Sequence, residues 1–131
     1  MKKWIPFKLS VQLFLGFILL AILFHIGVIA GLIPPDMVWG GRIQSPNDLI
    51  KMESVSMVIL IIMAFIITLK ARWIFPKIAR LSGYLIWLIP LLFFLNTLGN
   101  MQALNATERF VFTPITFLLA LISLRIALEK S

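Results

Sequence analysis

Four long apolar runs joined by short connections constrain this chain more than any other feature. They cover residues of about 9–33, 52–69, 81–98 and 110–128. A helix that crosses a bilayer needs about 20 predominantly apolar residues, and each run comes close to or exceeds that length. Such a segment must also satisfy its own backbone polar groups, which a helix does internally. The prediction is an all-α fold, a four-helix transmembrane bundle, with residues 1–131 forming one integral membrane domain. Composition agrees, since 61% of the residues are hydrophobic and 13% are charged, against roughly 45–50% and 25% in soluble domains.

Several function classes fall away at once. The chain has no cysteine and one histidine, His25. Thiol–disulfide exchange, thiolate metal sites and a haem held by two histidines of one chain are therefore excluded. The acids are dispersed around His25 without metal-ligand spacing, so neither a metal nor a cofactor is expected. The net charge of +7 does not point to nucleic acid, because the basic residues flank apolar runs, where they act as orientation signals.

Nine basic residues fall on one side of the expected bundle: Lys2, Lys3, Lys8, Lys70, Arg72, Lys77, Arg80, Arg125 and Lys130. Only Arg42, Lys51 and Arg109 fall on the other. That bias places both termini in the cytoplasm of a multi-pass cell-membrane protein, with a bacterial inner membrane the expected setting. The first run is longer than a signal peptide's apolar core and lacks a convincing cleavage pattern, so it reads as a retained helix. Trp4, Trp39 and Trp73 fall at expected membrane interfaces. Trp87 is expected inside the bundle, and Pro90 to kink the third helix.

Polar side chains within membrane spans default to functional candidates. Here they gather toward the outward half. His25 lies late in the first helix, Glu53 is expected to open the second, and Asn96 and Asn100 share a face of the third. Glu108 and Arg109 open the fourth, where Arg109, Thr113, Thr116, Ala120 and Ser123 form one stripe. Apolar walls with a few convergent polar groups are the usual form of a small-molecule site. The candidate ligand-binding residues are therefore His25, Trp39, Arg42, Glu53, Asn96, Asn100, Glu108, Arg109, Thr113 and Thr116. A buried Glu53 needs a partner, sought in Arg109 or Arg42. The stripe on the fourth helix is expected to wall a cavity that would accept a leucine at Ala120.

The connection after the first helix contains Pro34-Pro35, which ends it, and Gly40-Gly41, which permits a tight turn. The same connection is expected to cap the pocket. Gly27 and Gly31 form a G-x-x-x-G pair suited to close helix approach, including a homodimer. His25 lies on nearly the opposite face, so the first helix is expected to meet protein on two sides. Asn105-Ala106-Thr107 matches the N-glycosylation pattern, which matters only in a eukaryotic secretory membrane.

Two resemblances attach to these residues. Gly31-Leu32-Ile33-Pro34, Val38-Trp39-Gly40-Gly41-Arg42, Glu53 and Asn96-Thr97-Leu98-Gly99-Asn100 resemble short, uncharacterised four-span bacterial membrane proteins over nearly the whole chain. More distantly, Phe24-His25-Ile26, Glu53, and Glu108-Arg109 followed by Pro114 resemble the EXPERA domain of the sigma-2 receptor and emopamil-binding proteins. That likeness implies a pocket for sterol-like ligands with Glu53 as its acid. The chain departs from the pattern at Gly27-Val28-Ile29-Ala30-Gly31, where a second acid belongs.

The expected function is binding of a lipid-like or other small hydrophobic ligand, with membrane lipids as neighbours. The alternatives are an accessory subunit of a larger membrane complex and a membrane-embedded enzyme using His25 and Glu53.

Overall fold

The computed structural model describes residues 5–129; Lys2, Lys3, Trp4 and Lys130, read above as orientation or interface residues, lie outside that range. Every regular element among the described residues is helical. Helix α1 spans Phe7–Ile29, α2 Pro46–Lys70, α3 Ala79–Leu85, α4 Leu88–Met101 and α5 Thr113–Ala127. Short turns precede α3 and α5, which completes four segments long and apolar enough to cross a membrane: Phe7–Ile29, Pro46–Lys70, Pro76–Met101 and Glu108–Ala127. Large apolar side chains such as Leu19, Leu20, Ile61 and Leu91 point outward on all sides, which suits lipid contact and would be a severe liability in water.

Local chemistry sets each boundary. Helix α1 stops in a Schellman arrangement. Gly31 adopts φ +74°, while the Leu32 and Gly31 amides donate to the carbonyls of Gly27 (2.9 Å) and Val28 (3.1 Å). Ile33 then folds back so closely that a Cβ on Gly27 would meet its Cδ1 at 2.9 Å. Both glycines of the G-x-x-x-G pair are thus used within one chain. Helix α2 starts six residues earlier than hydropathy suggests, because Ser45 caps it. The Ser45 Oγ accepts from the Asp48 amide at 3.1 Å, and Pro46 takes the first turn. Glu53 therefore lies about two turns inside the helix rather than opening it, a correction to the reading above.

The prolines act one turn upstream of themselves, as their missing N–H and the clash with the i−4 carbonyl require. Pro90 breaks the third segment at Ile86–Trp87, between α3 and α4. There the Ile89 amide reaches only the Ile86 carbonyl, at 3.2 Å. Trp87 is 48% exposed at this break, which corrects the expectation that it packs inside. Pro114 similarly widens Glu108–Phe112 into a π-helical turn.

The four segments run up and down, so both described ends of the chain meet at one end of the bundle. There the Arg125 Nε donates to the Ile5 carbonyl (2.9 Å) and its Nη1 to Glu129 (2.8 Å). The Lys70 Nζ donates to the Glu129 carbonyl at 2.6 Å. The core fills this half, with Val11, Phe14, Ile18, Met63, Ile67, Ile89, Ile122 and Ile126 packed together. Ala120 belongs to that core and is 6% exposed. Ser123 is spent on the Leu119 and Ala120 carbonyls. The stripe on α5 therefore becomes packing below Thr116, not cavity wall.

Helix α2 packs along α3, whereas no comparable packing joins α2 to α4. The break at Ile86–Trp87 thus separates a closed half of the bundle from a half that splays.

Candidate functional site

The splayed half encloses a cavity of about 590 Å³ between α1, α2, α4 and the fourth segment. This falls within the usual range for small-molecule sites, roughly 300–1,000 Å³. Its deep walls are apolar, formed by Phe17, Leu60, Met63, Phe93, Ile115 and Leu119. The edge-to-face pair of Phe14 and Phe93, 5.6 Å between centroids, joins this wall to the packed core. Polar groups occupy the other end: His25, Trp39, Ser56, Asn96, Asn100, Glu108 and Thr116. Along the unpacked seam, Ile59 of α2 and Leu92, Leu95 and Asn96 of α4 line the cavity while remaining exposed. The opening is sideways, between helices.

Two carboxylates tie the residue 30–45 connection over the polar end. Glu53 is fully buried, and both of its oxygens have partners. His25 Nδ1 meets Oε2 at 2.6 Å, and the Trp39 indole N–H donates to Oε1 at 3.0 Å. Removing a carboxylate this far from water without partners is costly, by several kcal/mol. The contact orients the ring with Nδ1 toward the carboxylate. It leaves Nε2 without a protein partner among the described residues. Glu108, 5% exposed, accepts from the Gly40 amide at 3.0 and 3.1 Å. To present those groups the backbone takes three successive left-handed residues, Trp39 (φ 56°), Gly40 (φ 70°) and Gly41 (φ 71°). Glycine accepts this conformation freely, whereas for tryptophan it is strained. The lid is completed by the Leu104 amide on the Gly40 carbonyl (3.3 Å) and by Asn105 on Asp36 (3.0 Å).

The sequence candidates sort into three positions. His25, Trp39, Asn96, Asn100, Glu108 and Thr116 converge on the cavity. Glu53 stands behind His25 and Trp39 and does not line it. Arg42, Arg109 and Thr113 do not line it either. Arg42 is exposed beside a shallow groove with Asp48. Arg109 donates through Nε and Nη2 to the Ala103 carbonyl, at 3.2 and 2.8 Å. The expected Glu53–arginine pair is replaced by the histidine and the indole. Thr113 keeps a buried hydroxyl with no partner among the described residues, and nothing in the structure explains it.

Thr116 is the hub of the α4–α5 wall, receiving Thr97 Oγ1 at 3.0 Å and Asn100 Nδ2 at 3.2 Å. The Asn96 side chain has no hydrogen bond to another described residue and faces the open seam. Ser56, Met37 and Val38 also line the cavity and were missed in the sequence. Ser56 follows Glu53 by three positions, which puts it on the same helix face. Among the described residues no group of histidine and acids could hold a metal ion. No family model, curated protein or solved structure matches the chain.

Proposed function

We propose that this protein is a multi-pass cell-membrane protein that binds a lipid-like amphiphile, tail in the apolar part of the cavity and head at its polar end. The observation that carries this reading is the cavity's two-part lining combined with its seam between α2 and α4, on segments long and apolar enough to cross a bilayer. A site open to lipid on its side admits a water-insoluble molecule without passage through water. Positive charge clustered near the described chain ends orients that end to the cytoplasm and the polar end of the cavity outward.

Native mass spectrometry of the protein in nanodiscs tests the reading. A lipid ejected with the protein, and lost on Phe93→Trp within the wall, is the expected result. A protein that ejects bare, or with a second polypeptide in place of lipid, would support an accessory subunit instead. The His25–Glu53 dyad favours a second reading, a membrane-embedded enzyme, because a carboxylate-oriented imidazole is a common proton-transfer arrangement. Chemical change in the bound lipid during incubation, absent in His25→Ala, separates catalysis from binding.

A further inference from the structure

The charges and hydrogen-bond groups at the polar end narrow what head it takes. No lysine or arginine lines the cavity among the described residues, whereas the Glu108 carboxylate does. Arg109 is turned to a backbone carbonyl. A phosphate or carboxylate head would lose its hydration beside Glu108 with no cation in the cavity lining to pair with, which is unfavourable. An ammonium head meets the carboxylate but carries donors only. It would leave the amide N–H groups of Asn96 without an acceptor.

Hydroxyl groups both donate and accept, and the number of groups around the cavity calls for more than one. Ser56 and His25 stand on the α1–α2 wall, Asn96 and Asn100 on α4, and Glu108 on the fourth segment. One hydroxyl makes at most about three hydrogen bonds. The groups still open to an occupant are the Asn96 amide, the Ser56 hydroxyl and His25 Nε2, on two walls of the cavity, beside spare acceptor capacity on Glu108, since Asn100 already bonds Thr116. Resting on the amphiphile-binding reading above, we infer that the occupant is an uncharged, single-tailed lipid with a vicinal diol head, the monoacylglycerol class. One hydroxyl reaches the Glu108 side and the other the His25–Ser56 side, with Asn96 at the seam between them.

The test uses the whole protein in phosphatidylcholine nanodiscs, since sugar-headed detergents are themselves polyol amphiphiles. Equal mole fractions of 1-monooleoylglycerol, oleate, oleylamine or oleyl alcohol are added, and bound lipid is read by native mass spectrometry. The monoacylglycerol is expected to reach at least tenfold higher occupancy than oleate. Asn96→Leu is expected to weaken it roughly tenfold, the scale of one lost hydrogen bond in a dry site. The Asn96 side chain is exposed and bonds no other described residue, so this variant leaves the fold intact. Equal or better binding of oleate or oleylamine overturns the charge argument, and equal binding of oleyl alcohol overturns the diol. In each of those cases amphiphile binding itself stands. Failure of all four probes, with no lipid of any kind retained, removes the reading on which the inference rests.

Discussion

Trp39 is held in a backbone conformation that disfavours it by roughly 1–2 kcal/mol, and its indole N–H shows why the position persists. That N–H is one of two donors reaching a carboxylate with no access to water. Trp39→Phe keeps the strained backbone and most of the ring while removing the donor. It should lower stability by about 1–3 kcal/mol, read as a fall in Tm in detergent, and loosen the lid. At this scale the sequence was informative about membership and silent about pairing. His25, Trp39, Asn96, Asn100, Glu108 and Thr116 stand out because polar groups are rare in apolar runs. The partner of Glu53 was not legible, because charge alone favours an arginine. Helix rotation, which charge does not encode, turned His25 toward it instead. Ser56 was hidden for the opposite reason: a serine in a membrane helix usually bonds its own backbone and attracts no notice.

Helices are where proline and small residues decide the outcome. The π-helical turn ahead of Pro114 sets the direction in which Glu108 faces. Pro114→Ala restores an N–H, lets the turn tighten, and rotates Glu108 by about one residue, or ~100°. The expected result is a lowered Tm with faster amide exchange at Gly40, since the carboxylate leaves that amide. Ala120→Leu tests the corrected stripe on α5. Because Ala120 lies in the packed core, three added heavy atoms should overpack it and cost about 1–3 kcal/mol. An undiminished Tm would return the residue to the cavity wall. The apolar runs revealed each helix, but not where it starts. The first turn of α2 is polar and exists because Ser45 and Pro46 begin it, a signal carried by capping rather than by hydropathy.

The bundle as a whole divides into a packed half and an open half, and one proline marks the division. Pro90 was legible as a kink. That the kink would part α4 from α2 was not, because a bend's direction depends on what lies beside it. Orientation can be measured directly. Reporter fusions after Lys77 and after Glu129 should both report cytoplasm, and one after Asn47 the outside. An external signal after Lys77 would contradict the charge-based topology. On the amphiphile-binding reading proposed above, the lateral seam also changes what affinity means for such a site. Its solvent is a two-dimensional fluid already crowded with competitors, so occupancy follows the occupant's mole fraction among lipids and not its concentration in water. A molecule too scarce to detect in the aqueous phase can saturate the cavity, and a change in membrane composition alone can empty it.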